Sequence, residues 1–269
     1  VLSLARRLGR MPGIERLVSI GLLARTVDEP IRFFLREALR GLRGGTRQTY
    51  RLRGTEVRIV LEHDSPDRFT LDEIFYYRVY EPPAAARPAL EALRPGARVV
   101  DLGANVGLFL AWLLSRVPRL RVVAYEPDPR NAELLRRTLV ANEEHLAGWE
   151  LRLGAAGAAA GELPFAAGAF AASRADPAGR LTVARWDVLE LLGGCDVAKI
   201  DIEGGEWQIL RDARLKDCRA PLLIVEPHAA GRDPDHVAEA RDLLHAAGYA
   251  TEVTHAAPIG ATTIWAWRA

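Results

Sequence analysis

Apolar and polar positions vary along most of the chain in a pattern that is typical of strands and helices following one another. Apolar runs and helical spacing predict these elements: strand 98–102, helix 107–117, strand 121–125, helix 129–143, strand 197–202, helix 205–211, strand 222–226 and helix 235–247. Strands that alternate with helices form a parallel sheet with helices on both faces. We therefore predict an α/β protein with a mostly parallel, doubly wound sheet, to which a final hairpin at 250–254 and 262–267 adds antiparallel strands.

The residues before this alternation follow a different pattern. Apolar positions at helical spacing predict two or three amphipathic helices, broken at Pro12-Gly13 and around Asp28–Pro30 and ending at Gly44-Gly45. Period-two alternation predicts a hairpin over 48–62, and a short helix is predicted over 71–80. The chain is thereby divided into three segments: an N-terminal helical subdomain at 1–46, a hairpin with a lead-in helix at 47–82, and a core domain at 83–269.

A stretch rich in glycine and alanine separates the two groups of alternating elements. Gly and Ala make up 17 of residues 154–179, but Phe165, Phe170 and Leu181 interrupt the run. We interpret the stretch as short strands with a flexible loop beside the active site rather than as a linker.

Composition and cysteine content limit the class of protein. Of the 269 residues, 49% are hydrophobic and 26% charged, as in globular proteins, and 36 basic residues nearly balance 35 acidic ones. This balance disfavours nucleic acid as a partner. The two cysteines are too few for a disulfide framework, and no apolar run approaches the roughly 18 residues of a membrane span. We expect a cytoplasmic protein without a membrane span.

The charge is concentrated at the N-terminal end. Residues 1–53 contain twelve arginines and four acidic residues, so the remainder of the chain has a net charge of −7. One interpretation is a basic arm that holds an anionic partner or a membrane surface. The favoured interpretation is a helical subdomain that packs on the core, covers the active site or forms a homodimer, because no aromatic residues are interleaved with the arginines.

The turn after the first core strand suits a nucleoside cofactor. Gly103 and Gly107 permit positive φ angles and a close approach of a ligand to the backbone. Asp101 lies at the carboxyl end of the strand, where doubly wound sheets bind ligands. Asn105 and Leu108 break the G-x-G-x-x-G pattern that cradles a pyrophosphate. An acidic residue before the turn favours a cationic ligand, so the predicted cofactor is S-adenosylmethionine.

Polar residues also follow the later strands. Glu126 ends the next strand, where a carboxylate can accept hydrogen bonds from both ribose hydroxyls. Asp201 and Glu203 follow the strand at 197–202, and clustered carboxylates at a strand end indicate binding of a cation, a metal or substrate hydroxyls. The last parallel strand ends at Glu226 and is followed by His228, a candidate general base.

Taken together, these motifs resemble one known family. They are Asp101-Leu102-Gly103-Ala104-Asn105-Val106-Gly107, Glu126-Pro127, Lys199-Ile200-Asp201-Ile202-Glu203-Gly204-Gly205-Glu206 and Glu226-Pro227-His228. With the upstream segment Asp72-Glu73-Ile74-Phe75 and Tyr80, they make residues 50–230 similar to FkbM-type S-adenosylmethionine-dependent methyltransferases. The resemblance implies a Rossmann-like methyltransferase fold over 83–269. It also implies methylation of a hydroxyl on a small molecule, often a natural product, a sugar or a polyketide.

The motifs and this resemblance together define the predicted site. The cofactor-binding residues are Tyr80, Asp101, Gly103, Ala104, Asn105, Gly107, Glu126, Ala156 and Asp201, and the catalytic residues are His228, Asp201 and Glu203. The family commonly has A-A-x-G-D after its third strand, whereas this chain ends the corresponding block at Ala158. Adenine is therefore expected to be recognised by backbone groups or by another side chain.

Two routes for removing the acceptor proton stay open at this point. An alcohol needs proton removal and in-line positioning before it attacks a sulfonium methyl group. In the favoured route His228 takes the proton without a metal. In the second route Asp201, Glu226 and His228 hold a divalent ion that acidifies the hydroxyl. The D/N-P-P-Y block of enzymes that methylate base amines is absent at 201–204, which disfavours nucleic-acid methylation.

Other functions remain possible from the sequence. A non-catalytic module could bind the nucleoside cofactor and serve a partner enzyme, although the cluster of acids with His228 favours catalysis. An NAD-linked reductase is a weaker alternative, because the glycine fingerprint for a dinucleotide is broken.

Overall fold

The structure is a computed structural model that describes residues 13–39, 47–63, 65–168, 174–176, 178–229, 235–256 and 260–268. Its strands are β1 Arg47–Arg51, β2 Arg58–Glu62, β3 Arg98–Leu102, β4 Leu120–Glu126, β5 Leu146–Leu153, β6 Ala155–Gly157, β7 Gly161–Ala166, β8 Arg174–Ala175, β9 Leu181–Asp187, β10 Val197–Ile200, β11 Leu222–Val225, β12 Ala250–Ala256 and β13 Ala261–Trp267. Its helices are α1 Gly13–Leu23, α2 Pro30–Ala38, α3 Asp67–Leu71, α4 Arg87–Glu91, α5 Leu108–Leu114, α6 Pro129–Ala141, α7 Leu189–Gly193, α8 Glu206–Leu210 and α9 His236–Ala246. Within these ranges, none of the helices has the length and apolar character that crossing a membrane requires.

Seven strands form the central sheet, in the order β12-β13-β11-β10-β3-β4-β5. The strands from β11 to β5 are parallel, whereas β13 is antiparallel to both of its neighbours. Every residue of β10 and β11 is buried, as expected for parallel strands covered on both faces. The predicted α/β fold, with a mostly parallel sheet and a C-terminal antiparallel strand, is confirmed.

The register of the parallel strands brings their carboxyl ends to one edge of the sheet. Asp101 of β3 lies beside Lys199 of β10. Glu126 is the last residue of β4, and Asp201 and Glu226 directly follow β10 and β11. Residues that are far apart in sequence therefore meet at this edge.

A second, four-stranded sheet follows β5, in the order β6-β9-β7-β8. The short strands β6 to β8 agree with the sequence pattern, whereas β9 and the sheet that it joins were not predicted. Only Val183 of β9 is buried, so this strand lacks the apolar alternation that would have indicated it. Part of the predicted flexible loop, residues 169–173 and 177, lies outside the described residues.

The N-terminal helices and the hairpin share one hydrophobic core with the central sheet. Leu23, Phe33 and Tyr50 belong to the same buried cluster as Val99 of β3 and Val122 of β4. Helices α1 and α2 and the hairpin β1-β2 agree with the predicted elements. The predicted helix before Pro12 and the predicted helix end at 44–45 lie outside the described residues. The division at residues 46 and 82 stays a prediction.

The helix predicted over 71–80 is wrong in its bounds and its form. Helix α3 begins earlier, at Asp67, where the hydroxyl of Ser65 accepts a hydrogen bond from the backbone N–H at 3.1 Å. A π-helical turn, Asp72–Tyr76, then continues from α3. The N–H of Tyr77 donates to the carbonyl oxygen of Asp72 at 2.9 Å, five residues back instead of four. Such turns are common at functional sites.

Candidate active site

The turn between β3 and α5 is held against the end of β4. The N–H groups of Gly103 and Ala104 both donate to the carbonyl oxygen of Tyr125, at 3.0 and 2.9 Å. Gly103 has a φ of +78°, and a Cβ atom there would collide with the carbonyl oxygen of Asp201. Only glycine fits this close approach of two strand ends. Gly107, with a φ of +88°, instead starts α5 and packs against side chains of α6.

Glu126 is fixed by the backbone around it. Its carboxylate accepts hydrogen bonds from the N–H of Asn105 at 2.8 Å and from the N–H of Asp128 at 2.9 Å. Burial raises the pKa of Glu126 to about 7, although these hydrogen bonds act in the opposite direction. A carboxylate oxygen has two lone pairs, so the carboxylate can still accept hydrogen bonds from a diol such as ribose.

Asp101 lies beneath the cavity and does not line it. Its side chain is fully buried, and neither carboxylate oxygen has a hydrogen-bond partner. Its neighbour is Lys199, whose Nζ lies 3.5 Å from Asp101 Oδ1 and 3.1 Å from Asp201 Oδ2. The same Nζ donates to the carbonyl oxygen of Gly103 at 3.0 Å. Asp101 thus has an ion pair with a buried lysine beneath the cavity, and its contact with a cationic cofactor stays a prediction.

A cavity opens at the carboxyl edge of the central sheet. Seven of the nine predicted cofactor-binding residues line it: Tyr80, Gly103, Ala104, Asn105, Glu126, Ala156 and Asp201. The exceptions are Asp101 and Gly107. The lining includes the apolar side chains of Leu108, Phe109, Leu163 and Phe165, so α5 and the second sheet both contribute to the wall. A mostly apolar pocket with a few convergent polar groups is typical of a cofactor site.

Besides Glu126, four further carboxylates gather in the lining of this cavity. They are Glu73, Asp201, Glu203 and Glu226. Burial raises the pKa of Glu73 and of Glu203 to about 7, and that of Glu226 to about 8; the charge of Asp201 adds to each shift. Carboxyl groups that raise each other's pKa in this way are stabilised by a bound cation.

His228 lies against these acids but is not part of the cavity lining. Its Nε2 is 3.6 Å from Glu203 Oε2 and 3.9 Å from Asp201 Oδ1, while its Nδ1 is 3.1 Å from Glu206 Oε1. Burial lowers the pKa of His228, but the hydrogen bond with Glu206 and the charges of Asp201 and Glu203 outweigh it and raise the pKa to about 10.

Glu206 organises the loop that presents the acids. Its carboxylate is fully buried and accepts hydrogen bonds from the N–H groups of Ile202 and Gly204, at 2.7 and 2.9 Å. The loop needs this support because Glu203 has a left-handed φ of +53°, which is unfavourable for a residue other than glycine. Strained backbone of this kind is concentrated at functional sites.

One group of side chains has a spacing that suits a metal ion. Ligand atoms of Asp201, Glu203 and His228 all lie within 4.8 Å of one another. The set predicted from the sequence had Glu226 in the place of Glu203.

Several lining residues were not predicted from the sequence. Glu73 and Lys199 lie within motifs that resemble those of the FkbM family, so the sequence contained a signal for them, but it assigned no role to either. Arg185 and Gln208 also line the cavity, and nothing in the sequence pattern indicated them. Arg185 belongs to β9, which was itself not predicted.

We expect the ligand-free protein to lose stability as the pH rises from about 5 to about 8. Unfolded glutamate has a pKa of about 4.3, whereas those of Glu73, Glu203 and Glu226 in the folded protein are about 7 to 8. The folded state therefore binds more protons in this window, and the free energy of unfolding falls with rising pH. Calorimetric melting temperatures across the window measure the effect.

Two variants separate the acid cluster from other titrating groups. Glu226→Gln should reduce the pH dependence of the melting temperature, to which Glu73 and Glu203 still contribute. Glu133→Gln, at an acid outside the cavity that pairs with arginines, should leave the pH dependence in this window unchanged. A melting temperature of the parent protein that increases across the window would contradict this account of the acids.

The sheet order, the reversed C-terminal strand and the cavity at the strand ends define a Rossmann-like methyltransferase fold. The family model described as "Methyltransferase FkbM domain" matches residues 101–251 of the sequence. The chain belongs to the FkbM methyltransferase family, which confirms the resemblance of its motifs.

Solved structures and one curated protein are similar to this chain. A methyltransferase FkbM from Methylobacillus flagellatus KT aligns with a TM-score of 0.51 and 14% identity, over 94% of this chain and 59% of that chain. Aeropyrum pernix fibrillarin, in complex with natively bound S-adenosyl-L-methionine, aligns over 82% of both chains with 18% identity and a TM-score of 0.42. The AMB antimetabolite synthetase AmbE of Pseudomonas aeruginosa is 42% identical over 74 residues, which are 28% of this chain and 3% of that protein. The chain thus spans less than two thirds of the FkbM structure and a small part of the synthetase.

Proposed function

We propose that this protein uses S-adenosylmethionine to methylate a hydroxyl oxygen of a small molecule. Methyl transfer is the activity of the family to which the chain belongs. The observation that carries the rest is a single cavity in which Glu126 and the glycine turn lie together with Asp201, Glu203 and Glu226. The family match does not support the alternative of an NAD-linked reductase.

The described residues fit S-adenosylmethionine. Gly103 leaves the backbone of the turn accessible, since no side chain covers it, and Glu126 presents a fixed carboxylate to a ribose diol. The carboxylates in the cavity favour a ligand with positive charge. When bound, the cofactor supplies a methyl group on a sulfonium, which is electrophilic without further activation. Adenine recognition near Ala156 by backbone groups stays a proposal.

The proposed acceptor is a hydroxyl of a natural-product, sugar or polyketide intermediate. The resemblance to FkbM-type enzymes supports this class, and the similar synthetase is named for an antimetabolite. Carboxylate oxygens in the lining can accept hydrogen bonds from hydroxyl groups of such an acceptor. Sets of three acceptors that carry a hydroxyl, an amine or a hydrogen at one position, and are otherwise identical, test the proposal. Mass spectrometry should detect methylation of the hydroxyl compound alone.

Two routes for the proton of the acceptor follow from the site. In the first, His228 accepts the proton directly, with Glu206 holding its ring. In the second, Asp201, Glu203 and His228 would hold a divalent ion, and such an ion would lower the pKa of the hydroxyl. We propose the first as the working mechanism. The second remains a specific alternative because the three ligand atoms are already close together.

Removing the carboxylate of Glu126 should weaken cofactor binding. We expect Glu126→Ala to lose roughly 1.5–3 kcal/mol of binding free energy, the range for hydrogen bonds to a charged group. Titration calorimetry with S-adenosylmethionine and with S-adenosylhomocysteine measures the loss for each ligand.

A control variant and a competing ligand complete this test. Glu133→Ala, on the surface of α6, should bind both nucleosides as the parent does. Tighter binding of NAD than of S-adenosylmethionine by the parent protein would refute the proposed cofactor.

A further inference from the structure

Helix α2 carries apolar side chains on the face that points away from the core. Phe33 and Glu37 are buried, whereas Ile31 is 75% exposed and Leu35 is 51% exposed. Residues four positions apart share a helix face, so Ile31, Leu35 and Leu39 form one stripe. Phe33 is two positions from Ile31, about 200° around the helix, on the opposite side. A surface helix normally has polar residues on the face opposite its buried stripe.

The neighbouring helix α1 adds two more exposed aliphatic residues. The two helices are close enough that a Cβ atom on Gly21 of α1 would touch the ring of Phe34 of α2. We call the exposed aliphatic residues of both helices the N-terminal patch: Leu17, Leu22, Ile31, Leu35 and Leu39. They are half of the ten large exposed hydrophobic residues in the described ranges. Such a concentration in one small unit marks an interaction surface.

The helix that carries most of this patch is firmly fixed. Glu37 Oε1 lies 2.8 Å from His63 Nδ1, and His63 Nε2 lies 2.6 Å from the hydroxyl of Tyr50. These three side chains are buried and join α2 to the hairpin. The orientation of the apolar stripe relative to the hairpin is therefore fixed.

The charge around the patch indicates what it binds. Residues 1–53 contain twelve arginines and four acidic residues, whereas the rest of the chain has a net charge of −7. Arg25 and Arg32, near the two helices of the patch, are exposed, and Arg32 also pairs with Glu29 at 2.7 Å. Two copies of this basic unit would repel each other, which disfavours self-association. An exposed apolar stripe in a segment rich in arginine is the pattern of helices that lie in the surface of an anionic bilayer.

We propose that the N-terminal patch docks this protein onto the surface of an anionic lipid bilayer. The aliphatic side chains enter the boundary between headgroups and acyl chains, and the arginines lie against the lipid phosphates. No part of this proposal depends on the identity of the cofactor or the acceptor.

Sedimentation with lipid vesicles tests the proposal. The parent chain should bind vesicles of phosphatidylcholine with roughly one third phosphatidylglycerol, and binding should weaken with added salt because the attraction to the anionic surface is screened. Ile31→Glu with Leu35→Glu should reduce the bound fraction about tenfold, since two charges would have to enter the interface. Both positions are exposed, so the variant should fold, which its melting temperature checks.

Matched variants and the oligomeric state decide the outcome. Val140→Glu with Leu153→Glu places the same charges at exposed aliphatic positions outside the patch and should bind as the parent does. The proposal is overturned if the parent does not bind anionic vesicles, or if both double variants lose binding equally. It is also overturned if light scattering shows a parent dimer that only the Ile31→Glu/Leu35→Glu variant dissociates, because the patch would then bind a second copy.

Discussion

Replacing His228 by alanine should lower the rate of methyl transfer by roughly 10²–10⁴-fold, the contribution of a positioned general base. The ring is aimed at Asp201 and Glu203 by its hydrogen bond with Glu206, and it does not line the cofactor cavity. Binding of S-adenosylmethionine should therefore change by less than about twofold, which separates loss of a base from loss of the cofactor. Formation of S-adenosylhomocysteine at saturating acceptor measures the rate.

Chelation distinguishes the two proton routes. If His228 takes the proton directly, activity should survive treatment with EDTA. If Asp201, Glu203 and His228 hold a divalent ion, EDTA should abolish activity and added Mg²⁺ or Mn²⁺ should restore it. In that case Asp201→Asn should be at least as damaging as His228→Ala, because the carboxylate charge holds the ion. Activity that survives both His228→Ala and EDTA would exclude both routes.

The pH profile gives a second observation on the direct route. Only neutral imidazole accepts a proton, and the pKa of His228 is raised to about 10. The rate should therefore rise with pH up to about 10 and then level. Replacing Glu206 by glutamine removes a negative charge beside the ring, so the profile should shift to lower pH.

The parts of the site that sequence reasoning predicted are those whose position depends only on strand ends. Gly103, Glu126 and Asp201 each follow or end a buried parallel strand, and such ends must meet at one edge of the sheet. Glycine at position 103 was also predictable, because a positive φ and a close approach leave no room for a side chain.

Other features depend on information that a local pattern does not contain. Whether Asp101 faces the cavity depends on the register between β3 and β10, which places Lys199 beside it. Glu73 reaches the cavity from the segment of a π-helical turn, and ordinary helical spacing does not predict such a turn. Arg185 enters from a largely exposed strand without apolar alternation. Pairing between strands decided the outcome for Asp101 and Arg185, and a local five-residue hydrogen bond decided it for Glu73.

Replacing Lys199 by methionine should destabilise the fold by about 3–5 kcal/mol, the cost of breaking a buried ion pair on one side. Its ammonium lies between Asp101 and Asp201, and their charges keep its pKa above the ordinary value although burial opposes them. Asp101 would be left buried with no cation and no hydrogen-bond partner. Urea denaturation measures the loss. Lys216, the only other lysine of the sequence, is exposed, so Lys216→Met should change the free energy of unfolding little.

A double variant shows how much of this loss belongs to Asp101. Burial already raises the pKa of Asp101 to about 6 with Lys199 present, so its charge is costly in this position. Asp101→Asn combined with Lys199→Met leaves no unpaired charge beneath the cavity and should recover most of the lost stability. In the double variant Asp201 loses the ammonium at 3.1 Å and the carbonyl oxygen of Gly103 loses its donor, so any defect in methyl transfer that persists belongs to these two contacts and not to Asp101. If Lys199→Met is as stable as Lys216→Met, the buried ammonium does not stabilise Asp101, and the proposed contribution of this ion pair to the free energy of unfolding is wrong.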